Sequence, residues 1–264
     1  MQYDAFVIGK GPAGMSAAIY LARAGLSVLA CGKDGGALER AEKIENYYGF
    51  PEAISGSDLV SFGIKQAERV GVEVRTEEIV GLSLEDVFVI KAAKGEYRAR
   101  TVIIASGKSR VAVKAAGFEE LRGKGISFCA TCDGFFYKGK PLAVIGSGDY
   151  AAAELGELLH FTKDVTLFTN GAKVTTNSFP DGISRVDSPI DRFEGTDRLE
   201  AVCTADGKRY PVAGAFVAIG TAGATDFAAK IGLAVEGENI VVDGDFMTNL
   251  PGLFAAGDCV GGFY

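Results

Sequence analysis

The chain has 264 residues, of which 48% are hydrophobic, with 36 glycines and only 7 prolines. This composition is typical of a globular α/β protein of one large or two modest domains and excludes a disordered chain. The net charge of −7 argues against nucleic acid and against an anionic membrane surface as partners. No apolar run reaches membrane-spanning length and no signal peptide is recognised, while five cysteines do not make a secreted disulfide framework. We therefore expect a cytoplasmic protein.

A glycine-rich turn follows the first predicted strand. Tyr3–Ile8 has the pattern of a strand, Met15–Arg23 that of a helix, and Leu26–Ala30 that of a second strand. The turn has the G-x-G-x-x-G pattern and consists of Gly9, Lys10, Gly11, Pro12, Ala13 and Gly14. Gly9 makes the turn, Gly11 lets the backbone approach a pyrophosphate, and the third glycine lets the helix lie close to the sheet. The motif predicts dinucleotide binding; the alternative is a glycine-rich turn that binds nothing.

The rest of the first half has the pattern of strands around one helix. The paired glycines Gly35 and Gly36 come first, and Ser57–Val70 is a predicted amphipathic helix capped by Ser55 or Ser57. The predicted strands are Val72–Arg75, Ile79–Leu84, Val87–Ala92, Tyr97–Arg100 and Thr101–Gly107. The last of these resembles a buried parallel strand and closes the first unit.

Two cysteines separated by two residues stand near the middle of the chain, in the stretch Cys129–Asp133. A Cys-x-x-Cys at a turn or helix start brings two sulfurs close enough to bridge, and free N–H groups there lower a thiol pKa. Asp133 is available to supply or remove a proton. Half of a zinc site and two inert thiols are the alternatives, but the remaining cysteines and the single histidine are scattered. The pattern favours redox chemistry and predicts no metal site.

The second half repeats the first. Leu142–Ile145 is a predicted strand, followed by a second glycine turn at 146–151 and a helix over Ala152–His160. The aromatic run Phe135–Tyr137 before it either walls off a flat ring or packs in the core. We predict an α/β protein with two Rossmann-like, three-layer ββα dinucleotide-binding domains, the second inserted into the first. The predicted limits are 1–109 and 237–264 for the first domain and 110–236 for the second.

Taken together, these motifs resemble the low-molecular-weight thioredoxin reductases, a family of FAD-dependent disulfide reductases. The resemblance covers essentially the whole chain and is carried by GKGPAG at 9–14, the paired glycines, Glu45-Asn46, CATCDGFFY at 129–137 and FAAGD at 254–258. It implies that the first domain binds FAD. The cofactor-binding residues it implies are Gly9, Gly11, Pro12, Ala13, Gly14, Gly35, Gly36, Ala37, Asn46, Ala105, Gly257 and Asp258.

The same resemblance implies roles for individual residues. Cys132 would face the flavin, Cys129 would attack the protein substrate, and Asp133 would act as acid and base. Asn46 would lie near the flavin ring and Asp258 would bond the ribityl chain, although Asp258 is equally suited to be a helix N-cap. The family also implies a homodimer.

Three features depart from the family pattern. Ala37 follows the paired glycines where the family usually has Gln, which removes one expected FAD contact. The second nucleotide unit offers Thr169-Asn170 where an acid or arginines would select a ribose, with Lys173 the nearest cation. The chain stops at Tyr264, before the helix that caps the flavin in the family, so we expect weaker FAD binding if that end is real.

The missing ribose selectors are similar to the ferredoxin-dependent flavin thioredoxin reductases. We therefore predict a disulfide reductase that takes electrons from reduced ferredoxin and passes them to thioredoxin. The alternatives are a reductase that uses NADPH through Lys173 or Arg185, a flavin dithiol oxidase acting on a small molecule, and a non-catalytic redox sensor. An acidic ferredoxin would need a basic face, for which the candidates are Arg98, Arg100, Lys108, Arg110 and Lys114.

Overall fold

The computed structural model describes residues 2–107, 113–220 and 223–261, without the side chain of Arg40. The strands are β1 (Gln2–Ile8), β2 (Val28–Gly32), β3 (Glu73–Thr76), β4 (Ile79–Leu84), β5 (Phe88–Ala92), β6 (Gly95–Ile104), β7 (Ile126–Ser127), β8 (Leu142–Ile145), β9 (Val165–Phe168), β10 (Ser184–Val186), β11 (Ile190–Glu194), β12 (Ala201–Thr204), β13 (Arg209–Pro211), β14 (Gly214–Val217), β15 (Val235–Glu236), β16 (Asn239–Ile240) and β17 (Leu253–Ala255). The α-helices are α1 (Pro12–Arg23), α2 (Gly56–Arg69), α3 (Phe118–Leu121), α4 (Ala130–Asp133), α5 (Asp149–Leu158) and α6 (Ala224–Ile231). Short 3₁₀ helices lie at Ala37–Arg40, Gly134–Tyr137 and Asp258–Val260. Over the described ranges, no helix has both the length and the apolar character that crossing a bilayer requires.

The chain divides into two compact units. Unit 1 comprises Met1–Ser109 with Gly223–Tyr264, and unit 2 comprises Arg110–Ala222. The return to unit 1 therefore lies 14 residues before the predicted boundary at 237. The difference is due to α6, which packs with unit 1. The Lys230 ammonium of this helix donates to the Val80 carbonyl on β4 over 3.1 Å.

Unit 1 is built on a seven-stranded sheet, in which six strands follow the order β3-β2-β1-β6-β5-β4 and the seventh, β17, pairs with β6. Strands β1, β2, β3 and β6 are parallel, as expected of a dinucleotide-binding sheet. The two strands predicted at 97–100 and 101–107 are a single ten-residue strand, β6. Its first half pairs antiparallel with β5 and its second half pairs parallel with β17, which returns from the end of the chain. One long strand pairs with both partners, which the local pattern of the sequence did not indicate.

Helices α1 and α2 pack on this sheet through small side chains. Met15 and Ala18 of α1 and Ala67 of α2 join the core around Ala5 and Val7 of β1. The Ser55 hydroxyl accepts the Asp58 N–H at 3.0 Å and caps α2, which resolves the choice between the two predicted caps. The close packing of α1 positions the glycine turn at the carboxyl end of β1.

Unit 2 has a five-stranded parallel sheet in the order β10-β9-β8-β14-β7. A separate three-stranded antiparallel sheet, β11-β12-β13, contains a hairpin that turns at Asp206-Gly207. The core of the unit lies between these sheets and α3, around Phe168, Phe193 and Phe118. Strand β7 leads directly into the cysteine stretch, and β8 leads into the second glycine turn.

Candidate active site

The two cysteines of unit 2 form a disulfide at the start of the short helix α4. Cys129 and Cys132 are bridged, with their Cα atoms 5.3 Å apart, a usual separation for a disulfide. Cys129 is the N-cap of α4, and the Cys132 amide donates to the Cys129 sulfur at 3.2 Å. The Cys-x-x-Cys therefore stands at a helix start as the spacing predicts.

Ser127 joins the acid of this site to the disulfide. Its hydroxyl donates to the Asp133 carboxylate over 2.6 Å and accepts the Cys129 amide over 3.1 Å. Asp133 is half-buried, and its charge together with burial raises the pKa of Tyr137, burial being the larger cause. The structure thus brings Cys129, Cys132 and Asp133 together, as the sequence predicts.

The surroundings of the two sulfurs differ. Cys129 is only 5% exposed, whereas Cys132 is exposed. Beyond them, Phe135 and Phe136 are 68% and 69% exposed, so of the two alternatives for the aromatic run, packing in the core does not hold for these two rings. Tyr137 does pack, edge-on against Phe216, with ring centroids 5.6 Å apart. Two exposed aromatic rings beside a disulfide form an apolar surface that a partner protein can contact.

The glycine turn of unit 1 forms a narrow cradle at the N-terminus of α1. Gly9 has φ +119°, and a Cβ there would collide with the carbonyl oxygen of Ala105 at the end of β6. A Cβ on Gly11 would lie 3.7 Å from the Gly35 carbonyl oxygen, so the paired glycines face the turn. A Cβ on Gly257 would lie only 2.8 Å from the Ala13 Cβ, so the absence of a side chain at Gly257 lets the last 3₁₀ helix lie close to α1.

Several polar atoms of this cradle are available to a ligand. The Ser106 hydroxyl, which follows Ala105, is buried and has no partner among the described residues. Asp258 is exposed, and Gly257 is the N-cap of its 3₁₀ helix, so the N-cap interpretation of Asp258 is wrong. Asn46 is also exposed, and the described contacts do not link it to the cradle. A narrow glycine cradle at a helix N-terminus with an orphaned hydroxyl beside it fits the pyrophosphate and polyol of FAD.

Lys10, the second residue of the glycine turn, is a cradle residue that the sequence analysis did not single out. Its side chain is 6% exposed and its ammonium donates to the Thr76 hydroxyl on β3 over 2.6 Å. Burial lowers the pKa of Lys10, and the nearby charges of Glu39 and Asp34 oppose that shift. Asp34 itself accepts the Gly36 amide at 2.9 Å, which shapes the paired-glycine loop. Little in the sequence indicated this, because Lys10 occupies a position of the glycine motif at which any residue is allowed.

The second glycine turn, in unit 2, is covered by residues 175–178, which we call the covering segment. The Thr175 amide and hydroxyl both donate to the Ser147 carbonyl, over 2.9 and 3.3 Å. The Thr176 hydroxyl donates to the Asp149 carboxylate. Asp149 is the first residue of α5, so a carboxylate occupies the helix end at which a pyrophosphate would bind.

The side chains at the ribose position of unit 2 are bonded to their own chain. The Thr169 hydroxyl donates to the Asp187 carboxylate at 3.1 Å, and the Asn170 side-chain oxygen accepts the Ile190 amide at 2.7 Å. Arg185, which the sequence offered as a phosphate ligand, is ion-paired with Asp187 over 3.1 Å. These bonds leave Thr169, Asn170 and Arg185 engaged within unit 2.

The predicted basic face is largely neutralised where it is described. Arg98 pairs with Glu85 and Glu96, and Arg100 lies 3.5 Å from the Asp4 carboxylate. Lys114 is exposed but belongs to unit 2, and Lys108 and Arg110 lie outside the described residues. Ion pairing reduces the positive potential that the two arginines on β6 present to a partner.

Comparison with known proteins now identifies the family. The profile of the pyridine nucleotide-disulphide oxidoreductases matches residues 3–263. The chain belongs to this family. The thioredoxin reductase of Listeria monocytogenes is 36% identical over 275 residues, covering 97% of this chain and 85% of that protein.

Two solved structures are similar to this chain over nearly its whole length. The atypical thioredoxin reductase TRi from Desulfovibrio vulgaris Hildenborough superimposes with a TM-score of 0.93 at 41% identity, covering 98% of this chain and 90% of that one. A ferredoxin-flavin thioredoxin reductase from Clostridium acetobutylicum gives a TM-score of 0.74 at 27% identity, covering 100% and 91%. These matches confirm the predicted α/β fold class with two dinucleotide-binding domains.

FAD is the cofactor of the thioredoxin reductases in this oxidoreductase family. The cradle of unit 1 fits that cofactor, since its three glycines, the orphaned Ser106 hydroxyl and the exposed Asp258 carboxylate surround the N-terminus of α1. The residues that would hold FAD are therefore those of the cradle.

Proposed function

We propose that this oxidoreductase passes two electrons from bound FAD, through the Cys129–Cys132 disulfide, to the disulfide of a thioredoxin. We propose further that reduced ferredoxin supplies those electrons. The acceptor is supported by the disulfide and adjacent Asp133 in unit 2 and by relatives that are themselves thioredoxin reductases. The donor is supported by a structural relative that is a ferredoxin-flavin thioredoxin reductase.

The covering segment is the observation that carries the choice of donor. A nicotinamide dinucleotide needs the glycine turn of unit 2 for its pyrophosphate, but Thr175 and Thr176 bond that turn from the outside. The Asp149 carboxylate would also repel the pyrophosphate at close range. Because the ribose position holds no free acid or arginine among the described residues, binding NADPH would require several hydrogen bonds to break.

The electron transfer is assigned to the cysteines as follows. FAD, when bound, supplies an electron pair. Cys132, the exposed sulfur, accepts the reducing equivalents; the S–S bond breaks and Cys129 leaves as a thiolate, which the Cys132 amide at 3.2 Å stabilises. The Cys129 thiolate then attacks the partner disulfide, forming a mixed disulfide and releasing the partner's second sulfur.

Resolution of the mixed disulfide closes the cycle. The Cys132 sulfur attacks Cys129, which restores the Cys129–Cys132 bond and releases the partner as a dithiol. Asp133, held by the Ser127 hydroxyl at 2.6 Å, takes the proton of the Cys132 thiol and returns it to the leaving sulfur. Two electrons and one proton thereby pass from the cysteine pair to the partner, and the partner sulfur released first takes its proton from solvent.

An anaerobic spectral titration of the FAD-loaded protein tests the donor. NADPH, NADH and photoreduced ferredoxin are added in turn, and the flavin absorbance is recorded. We expect ferredoxin alone to bleach the flavin. Prompt bleaching by NADPH would overturn the proposal that ferredoxin is the donor. It would not affect the proposal that thioredoxin is the acceptor.

The acceptor is tested separately with Cys129→Ser. This variant should keep its flavin and lose thioredoxin reduction, measured with dithionite or ferredoxin as the electron source. Full turnover in the variant would contradict the assigned path. A matched Cys203→Ser variant, at a free buried cysteine of unit 2, should retain activity.

A homodimer in a reducing cytoplasm completes the proposal. Cys31, Cys203 and Cys259 are buried and form no disulfide within the part of the chain that the structure describes, which suits a compartment that keeps thiols reduced. Sedimentation equilibrium at micromolar concentration should give twice the chain mass of 27.6 kDa. A monomer at all concentrations would contradict the dimer.

A further inference from the structure

A buried carboxylate lies under the cysteine turn and has no place in the electron path described above. Glu154 of α5 is 1% exposed, and its carboxylate accepts the Ala130 amide at 2.7 Å. Ala130 is fully buried and immediately follows Cys129. Burying a charged group costs free energy unless it is bonded, so a glutamate on the apolar face of α5, between Ala151 and Leu158, requires a reason.

The amides of the cysteine turn are already distributed among acceptors. The Cys129 amide donates to Ser127 over 3.1 Å and the Ala130 amide to Glu154, while the Cys132 amide donates to the Cys129 sulfur. At such a turn, free N–H groups normally stabilise a thiolate. Here one of them is taken by a carboxylate, which brings a negative charge to the point where a thiolate forms.

We propose that Glu154 is a positioning residue whose charge lowers the reduction potential of the Cys129–Cys132 couple. Reduction breaks the S–S bond with two electrons and one proton and gives a Cys129 thiolate and a Cys132 thiol. The oxidised turn has no charge on sulfur, whereas the reduced turn adds a negative charge next to Glu154. Repulsion therefore disfavours the reduced form and makes it a stronger reductant of a partner disulfide.

This inference rests on the proposed function only in taking the Cys129–Cys132 disulfide as redox-active; the identity of the donor does not matter. Asp133 is a second carboxylate near the sulfurs, but its Oδ2 is bonded to Ser127 and it remains unchanged in every variant of the test. The contribution of Glu154 is therefore separable by substitution.

The test is a redox titration of the FAD-loaded protein against dithiothreitol buffers at pH 7, with the cysteines trapped by alkylation and counted by mass. Glu154→Gln keeps an oxygen to accept the Ala130 amide and removes the charge. We expect its dithiol–disulfide equilibrium to shift about tenfold toward dithiol, or about 30 mV more positive for a two-electron couple. Glu120→Gln, an exposed glutamate of α3, should titrate like the parent.

Glu154→Ala separates charge from geometry, because it removes the acceptor as well. Equal shifts in Gln and Ala variants support the charge. If the parent disulfide titrates but the dithiol–disulfide equilibrium of Glu154→Gln is unshifted, whether or not that of Glu154→Ala shifts, the inference is overturned. The proposed function would still stand in that case. If the parent disulfide does not titrate at all, the proposed function fails together with the inference.

Discussion

The two sulfurs of the redox turn are unequal in two respects that bear on their roles. Cys132 is the exposed one, whereas Cys129 is buried and receives the amide hydrogen bond. Exposure favours Cys132 as the first sulfur to meet a reductant, and the hydrogen bond favours Cys129 as the thiolate that leaves. For Cys129 to attack a protein disulfide, the reduced turn must then uncover it.

Trapping the mixed disulfide tests this order. A thioredoxin that lacks its resolving cysteine, and whose remaining cysteine is first converted to a mixed disulfide with thionitrobenzoate, should form a stable covalent complex with Cys132→Ser. The Cys129 thiolate attacks that disulfide and displaces thionitrobenzoate. The same thioredoxin should form little complex with Cys129→Ser. Non-reducing electrophoresis and peptide mass mapping give the answer, and a complex formed through Cys132 instead would reverse the two roles.

The free thiol of Cys31 should be almost unreactive in the folded protein. Burial, with the charge of Glu77 second, raises the pKa of Cys31 to about 12 from 9.0, so at pH 8 only about one thiol in ten thousand is a thiolate. The stability that this group contributes is present below pH 9 and is lost as pH rises toward 12.

Alkylation by iodoacetamide at pH 8 measures this reactivity. Cys31 should be labelled only when urea unfolds the protein, and its labelling in the folded state should accelerate as the pH is raised. Quick labelling of Cys31 in the native protein at pH 8 would contradict the burial on which the prediction depends.

At this scale the sequence was informative where residue type alone fixes chemistry. The spacing of Cys129, Cys132 and Asp133 predicted a constellation that the structure brings together. The sequence did not identify Ser127 and Glu154 as residues of the site. Serine and glutamate are common residues, and the importance of these two comes from contacts across the fold. A glutamate on the apolar stripe of α5 was the one signal available.

Helices α1 and α5 each contain a glycine, but only one of these glycines is required by packing. A Cβ at Gly14 of α1 would collide with the Gly9 carbonyl and lie 3.2 Å from a Val7 methyl, whereas a Cβ at Gly156 of α5 would meet nothing within 4 Å. Gly14→Ala should therefore destabilise the protein by at least about 2 kcal/mol and weaken FAD binding. Gly156→Ala should stabilise it by up to about 1 kcal/mol.

Urea unfolding and a flavin-fluorescence titration check both variants. Gly156→Ala serves as the control, because it makes the same change in a helix without touching the cradle. Native FAD affinity in Gly14→Ala would show that α1 can move away from the glycine turn, contrary to the packing seen here.

Elements were predictable where one local pattern decides them. Helix α2 begins at a serine cap as the sequence indicates, and the strands around the first glycine turn follow apolar runs. Strand β6 was predicted as two strands and helix α6 was not predicted, because their limits depend on partners distant in sequence. The pairing of β6 with β17 and the bond from Lys230 to Val80 cannot be read locally.

At the scale of the whole molecule, the cradle lies entirely within unit 1, so FAD should stabilise one unit more than the other. Free FAD at a hundred times its dissociation constant adds about 2.7 kcal/mol to the unit that binds it. We expect excess FAD to raise the unfolding temperature of unit 1 and to separate it from that of unit 2.

Differential scanning calorimetry with and without added FAD tests this expectation. Exposure of Cys203 to a thiol reagent reports on unit 2, and flavin fluorescence reports on unit 1. A single transition that moves as a whole would mean that the two units unfold cooperatively.

The return of β17 to the first sheet has a consequence for the order in which the protein is made. Its partner β6 is synthesised early, but residues 110–222 must follow before β17 exists. The second half of β6 therefore lacks one neighbour during most of translation, while the insert, which is continuous in sequence, can already fold. An unpaired strand edge is a template for aggregation, so the nascent chain on the ribosome is the form most in need of a chaperone.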